Sequence, residues 1–365
     1  MGVERLERDL KFILSGFFPP SRGGDPLRQA SRNSPAQFTL KAAVRLGMFP
    51  RTNRCRFRTA NNKFAYYVAS YARLSLPRFL AARAPQPVLT ELEQDSIQRR
   101  LAYYLGNPSA WNCSDIDQWT SIGHLRNERQ SMYFLDLYRY ARSYPDRLKI
   151  LYCFGDVTEC QPLPTLVKSR PIGACTSSVL FKLDALRHFR FVDDRTPFDS
   201  KKPMVVWRGG AYKENRRRLL REFGAHPFCD VGHFGHSPSN ICDKPFMSIP
   251  RQLDYKFILS LEGNDVATNL KWILSSNSLC LMPRPKYETW FMEGTLVPGK
   301  HYVEIRDDYS DLIETINHYN THTAEALAII RNGQEYVRQF LNPDHEHYLG
   351  HLVLENYFKH TGQST

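Results

Sequence analysis

One carboxylate stands where a strand gives out: Ile150 to Phe154 is a short apolar run, and Gly155-Asp156 ends it. A carboxylate at the carboxyl end of a strand is well placed to meet a substrate and accept its proton, and such an Asp also serves as a cap or turn residue. Lys168 and Arg170 follow in the extended piece Val167-Lys168-Ser169-Arg170-Pro171, which fits an anion clamp or an ordinary loop. A second group lies further on. The strand Met204 to Trp207 runs into Arg208-Gly209-Gly210, and the cationic helix Lys213 to Phe223 brings Arg216, Arg217 and Arg218 close behind. Two glycines let backbone approach a ligand closely, and a helix N-terminus offers free N–H groups. Together they fit a diphosphate site; surface ion pairing is the plainer reading.

The stretch Arg251 to Met282 carries the third group. Tyr255 to Leu261 suits a buried strand, Glu262-Gly263-Asn264-Asp265 breaks it, and Val266 to Ser276 has helical spacing before the strand Ser278 to Met282. This is a βαβ unit. Ligands of open α/β sheets sit at the carboxyl ends of strands, so Glu262 to Lys271 is where an anionic ligand is expected.

Two metal-like patterns carry less weight. Asp115-Ile116-Asp117 is an Asp-x-Asp, yet Ser114 and Asp117 read as the cap and first turn of a helix. Cys229, His233, His236 and Cys242 match no standard zinc spacing, so no metal is expected.

The elements that must position these residues are those of a two-domain α/β chain. At 365 residues there is room for two cores. The formal charge of 49 − 37 = +12 favours a partner among nucleic acids, nucleotides, phosphorylated glycans and anionic membranes. Eight scattered cysteines and no signal peptide lead to an expectation of reduced thiols in the cytoplasm. No run of about 18 apolar residues could span a bilayer.

Residues 1 to 18 are expected as an amphipathic helix, and Arg51, Arg54, Arg56 and Arg58 as a solvated basic stretch or a surface for phosphates or lipid headgroups. Helices are expected over Tyr66 to Leu76, Leu92 to Leu105 behind a Thr90/Glu93 capping box, Ser131 to Tyr144, Lys286 to Gly294, Asp311 to Tyr319 and Ala324 to Phe340. Asp193 to Lys202 reads as a linker. The expected division is 1–195 for a helical region and acceptor-side domain, 196–340 for a donor domain, and 341–365 for a tail.

The series FGDV, VKSRPI, WRGG followed by Arg216, YKFILSLEGNDVATNLKW and LVPGKHYVEIRDDYSDL resembles glycosyltransferase family 90. The likeness is nearest to its bacterial lipopolysaccharide core branch and more distant to protein O-glucosyltransferases of the Rumi type; it runs from about Ile150 to Phe340. The resemblance implies a GT-B fold, two Rossmann-like domains facing across a cleft, and inverting, metal-independent transfer from a UDP-sugar. It implies Asp156 as catalytic base and Arg208, Gly209, Gly210 and Arg216 as the donor-phosphate loop. It adds Lys271, Lys256, Glu262 and Gly263 on the donor side, with Lys168 and Arg170 as contacts to donor or phosphorylated acceptor. Asn269 departs from the pattern, since Rumi-type proteins carry Arg there, and they carry a basic residue where this chain has Glu262.

The implied reaction moves a pentose or hexose onto a glycan or lipid-linked glycan, such as lipopolysaccharide core, at the inner face of the cytoplasmic membrane. No nucleic acid is expected. Two readings from other classes compete: a basic nucleic-acid-binding protein, which leaves Asp156 and both βα phosphate sites without a role, and a sugar-binding protein that kept the fold and lost catalysis.

Overall fold

The computed structural model describes residues 55–57, 63–76, 86–127, 130–173, 175–235 and 240–364. The helix expected in residues 1–18 and the residues Arg51, Arg54 and Arg58 lie outside them. The described residues belong to one compact unit, Arg54–Thr365. In chain order it begins with β1 (Cys55–Phe57), α1 (Lys63–Ser75), α2 (Glu91–Leu105), β2 (Thr120–Ser121), α3 (Ser131–Ala141) and β3 (Lys149–Cys153). Next come β4 (Thr165–Val167), β5 (Ser169–Pro171), β6 (Ser178–Leu180), α4 (Ala185–His188), β7 (Val192–Asp194) and β8 (Lys202–Gly209). Then follow α5 (Glu214–Phe223), β9 (Cys229–His233), α6 (Ile249–Gln252), β10 (Tyr255–Leu259), α7 (Leu270–Leu274) and β11 (Leu279–Met282). The chain ends with β12 (Tyr287–Thr289), β13 (Val303–Glu304), α8 (Leu312–Thr321), α9 (Thr323–Arg338) and α10 (Pro343–His360).

Two sheets carry the fold. The larger is wholly parallel, in the order β13-β11-β10-β8-β9. Its order reverses between β8 and β10, and an open α/β sheet presents its ligand crevice outside the carboxyl ends of the strands at such a reversal. The smaller sheet, β2-β3-β4-β6, has three parallel strands and an antiparallel edge.

Side chains of the larger sheet alternate between two cores, as period-2 geometry requires of strands covered on both faces. Val205, Trp207, Phe257, Leu259, Leu279 and Leu281 enter one core with α5, α8 and α9. Val206, Ile258, Cys280 and Met282 enter the other, which continues through α7, α2 and α3 to the smaller sheet and α10. The antiparallel ribbon of β5 and β12 joins loops that follow the two sheets, with Arg170 opposite Glu288.

The capping box of α2 is present: Thr90 Oγ1 accepts from Glu93 N at 3.3 Å, and Glu93 accepts from Thr90 N at 2.9 Å. Other expectations are corrected. The helix expected over Lys286 to Gly294 is instead β12 followed by a 3₁₀ turn at Glu293–Thr295, because Glu288 pairs across the ribbon with Arg170. The expected tail, 341–365, forms α10, whose start Asn342 caps by accepting from Asp344 N at 3.0 Å; Leu349, Val353, Leu354, Tyr357 and Phe358 then bury its inner face.

The expected linker is a packed junction, with Phe198 buried and Lys201 paired to Asp194 at 2.7 Å. Asp115 and Asp117 do not open an α-helix; a 3₁₀ turn, Ile116–Gln118, follows Asp115 without a side-chain cap, and Asp117 pairs with Lys149. Cys160 and Cys175 are joined in a disulfide with their Cα atoms 5.2 Å apart, so these two thiols depart from the reduced state expected. Among the described residues no helix is long and apolar enough to cross a membrane.

α10 is tied to the rest through one buried carboxylate. Glu346 accepts from Arg100 at 2.5 Å, Lys182 at 2.6 Å and Trp290 Nε1 at 2.8 Å. Removing one charge from such a group leaves buried cations uncompensated. Glu346→Gln is expected to lower unfolding stability by about 3–5 kcal/mol in denaturant titration; a loss within ~0.5 kcal/mol, typical of surface substitutions, would show that α10 is not held this way.

Candidate active site

Asp156 lies three residues beyond β3, after Gly155, whose φ of 108° turns the chain in a region that a side chain rarely tolerates. Its carboxylate is 31% exposed and meets two neighbours. Lys168 Nζ stands 2.5 Å from Oδ1, and Asn264 Nδ2 donates to Oδ2 at 3.1 Å. Lys168 is 2% exposed and also lies 2.7 Å from Asp265 Oδ2, which accepts from Ser169 Oγ at 2.6 Å. Asp156, Lys168 and Ser169 belong to the smaller sheet and its loops, whereas Asn264 and Asp265 belong to the loop after β10. One ammonium therefore joins the two sheets' loops.

Charge follows from these contacts. Burial alone would push the Asp156 carboxyl up, but the Lys168 ammonium and the Asn264 amide outweigh it and hold it below the usual carboxylate range. Burial pushes Asp265 up, only partly offset by Lys168. Asp184, before α4, is buried and pushed up to about 6, with Arg187 3.1 Å away.

Beside this cluster a cleft of about 150 Å³ opens at the carboxyl ends of the larger sheet. Its walls include Asn215 at the start of α5, Glu262, Val266 and Ala267 after β10, Arg284 and Lys286 after β11, and Tyr309 after β13. The loop after β10 thus lines the cleft with Glu262, Val266 and Ala267 and holds Asp156 and Lys168 with Asn264 and Asp265.

Arg216 fastens the rim at the reversal point. Its guanidinium donates to the carbonyls of Leu261 at 2.7 Å, Gly210 at 3.0 Å and Glu262 at 3.1 Å. Carbonyls orient the cation without neutralising it, and no carboxylate pairs with it among the described residues. A Cβ on Gly210 would fall 2.4 Å from the Tyr212 ring, and one on Gly263 would fall 3.1 Å from Arg216, so both glycines leave room that side chains need.

The remaining expected residues are engaged elsewhere. Arg208 turns back along the sheet to Asp230, with Nη2 2.6 Å from the carboxylate; Gly209 ends β8 beneath the Trp207 ring. Lys256 lies near the amino end of β10, at the opposite end from the cleft, over Phe198 and 3.8 Å from Asp199. Lys271 is fully buried against Glu293. Arg170 is locked into the ribbon, donating to Glu288 at 2.7 Å and to the Ser178 and Tyr103 carbonyls at 2.8 Å. Asn269 turns inward to the Leu259 carbonyl at 2.9 Å, and α7 begins only after it, four residues later than the periodicity predicts.

Residue reasoning missed Asp265, Arg284, Lys286 and Tyr309 as members of the site. Asp265 belongs to the Glu-Gly-Asn-Asp break after the strand, a signal the sequence carries; the others follow strands whose ends only the sheet order brings together.

Glu262 gives this region a pH signature. Burial pushes its carboxyl from 4.5 up to about 7, although it accepts from Lys286 N at 3.0 Å and Tyr287 N at 3.2 Å. The folded protein then binds the proton more tightly than the unfolded chain, so this group's stabilisation is present below pH 4.5 and is lost as pH rises towards about 7. Glu262→Gln should gain stability relative to the wild type across that interval. Melting temperatures of both proteins against pH check it; a constant difference would contradict the burial of this carboxylate.

The model described as Glycosyl transferase family 90 matches residues 183–361, which takes in the cleft and α10 but not Asp156, Lys168 or Arg170. The chain is 43% identical over 294 residues to the O-glucosyltransferase LpsA of Dichelobacter nodosus, covering 80% of this chain and 90% of that protein. It is 27% identical over 165 residues to Protein O-glucosyltransferase 3 of Homo sapiens and 32% over 165 residues to that of Rattus norvegicus, covering 32% of each relative. A likeness spanning nearly the whole of one bacterial transferase, together with the family match, places this chain in glycosyltransferase family 90.

Proposed function

We propose that the protein transfers a sugar from a UDP-sugar, with inversion, to a hydroxyl of a surface glycan such as lipopolysaccharide core. The names of the relatives make UDP-glucose the first donor to test. In this reading the two α/β halves form a GT-B arrangement. The observation that carries it is the loop after β10, which lines a cleft at the reversal point of a parallel sheet and also grips the partly exposed carboxylate of Asp156 beside it.

The chemistry divides between the halves. The acceptor oxygen attacks the anomeric carbon while its proton passes to Asp156, and the bond from that carbon to the UDP oxygen breaks with its electron pair leaving on UDP. A single displacement by the acceptor oxygen, with Asp156 taking its proton, inverts the centre. Charge building on UDP is met by Arg216, oriented by three carbonyls, and by Arg284 and Lys286 on the cleft wall, whose solvent-exposed pairings with Glu304 and Asp307 leave them able to turn to a phosphate. Lys168 keeps Asp156 ionised. No step calls on a metal, and the acceptor is taken to be lipid-linked, met at an anionic membrane surface.

A positioned base contributes on the order of 10²–10⁴-fold. Asp156→Asn should lose transfer by that factor while UDP still raises the melting temperature as it does for the wild type; near-normal turnover would remove Asp156 from the role. EDTA should leave the rate of wild-type transfer unchanged, and a loss restored by a divalent cation would overturn the metal-free reading.

A further inference from the structure

The contact between Lys168 and two carboxylates does more than hold loops together. Lys168 Nζ is 2.5 Å from Asp156 Oδ1 and 2.7 Å from Asp265 Oδ2, so one ammonium serves both. Asp265 is 5% exposed and outside the set that lines the cleft, yet it lies between Glu262 and Val266, which do line it. Asn264, its neighbour, donates directly to Asp156. A donor seated against Glu262, Val266 and Ala267 therefore touches the same loop that carries Asn264 and Asp265 to Asp156 and Lys168.

We propose that Asp265 is a positioning residue for the base: by competing with Asp156 for the Lys168 ammonium, it keeps that carboxylate from being fully neutralised, and donor binding on the shared loop moves the ammonium towards Asp265. The inference rests on Asp156 acting as base. An acid gripped by an ammonium is a weak proton acceptor, and releasing the grip as the donor arrives makes the base competent when there is a sugar to transfer. Ser169 Oγ, 2.6 Å from Asp265, holds the second carboxylate in place for the exchange.

The other charged or titratable groups around Asp156 are fixed in number. Tyr133 of α3 faces Lys168, and Asp184 and Arg187 stand at α4; Asp184 opposes ionisation of Asp156, and Arg187 favours it. Asp265 itself bears on Asp184 and Asp156 through its charge, so D265E, which keeps that charge, and the titration of Asp156 with UDP separate the Lys168 partition from the loss of a negative neighbour.

The test compares wild type, D265N, D265E and D156N in kcat/KM for acceptor against pH at saturating UDP-glucose, with UDP binding measured by thermal shift. In D265N the ammonium has Asp156 as its only anionic partner, so the acid limb is expected to move to lower pH and the plateau kcat to fall on the order of tenfold, short of the ~10²–10⁴-fold loss of the base itself. UDP binding is expected to be retained, and D265E to return the limb towards the wild-type position. A D265N limb at the wild-type pH, whatever its rate, would overturn the role, because a purely structural Asp265 lowers activity without moving it.

A measurement on the unaltered protein guards against a variant that fails to fold. The Asp156 carboxyl carbon, assigned by its loss in D156N, is titrated by NMR with and without UDP; its titration is expected to move to higher pH with UDP, and an unmoved curve would overturn the exchange. The two levels separate cleanly. If D156N retains transfer, the base reading falls and this inference with it; if D156N is inactive and D265N keeps the wild-type limb, only this inference falls.

Discussion

The Lys168 ammonium is almost wholly buried, and a buried cation persists only with counter-charges and hydrogen-bond acceptors in place. Here they come from both halves of the unit, Asp156 from the loop after β3 and Asp265 from the loop after β10. The cost of losing either partner fixes the two loops in register. The Arg170–Glu288 pair in the β5–β12 ribbon repeats the device a few residues away. The candidate base and the candidate nucleotide cleft thus stand beside each other through electrostatic necessity as well as through apolar packing.

The cleft owes its position to strand order. Because β9 and β10 flank β8 on opposite sides, the loops after β8 and β10 part at their tips and leave a crevice. Arg216 spans that parting by donating to carbonyls on both sides, which brings a positive charge to the crevice without a carboxylate to cancel it. The absence of a side chain at Gly263 leaves room for the guanidinium, since a Cβ there would fall 3.1 Å from it.

Much of this was legible in the sequence where local chemistry decides. The strands β8, β10 and β11 announce themselves as apolar runs, the Thr90/Glu93 box marks the start of α2, and Asp156 stands out at a strand end. The departures occur where a distant partner overrides a local signal. Lys286 to Gly294 has helical character, yet Glu288 finds Arg170 across the ribbon and the chain extends. Val266 to Asn269 has helical spacing, but Asn264 and Asp265 are bound to the other sheet and α7 starts late. The family resemblance implies Arg208, Lys256 and Lys271 as donor-side cations, and only the fold reveals Asp230, Asp199 and Glu293 opposite them. A cation's partner is a tertiary fact, and spacing along the chain does not encode it. The sequence of α10 gives a weak signal because its apolar residues are interleaved with histidines and acids that the core also accommodates, Glu346 and His351 among them.

One base on one side of the anomeric carbon and a leaving nucleotide on the other define the geometry claimed for this site. The configuration of the product tests that most directly: an α-configured UDP-sugar and acceptor are incubated with the enzyme, and the new linkage is read from its anomeric proton coupling by NMR. A β-linked product is expected from the first turnover onward. An α-linked product would mean two displacements or front-face attack, and would contradict a site built on Asp156 as a lone base.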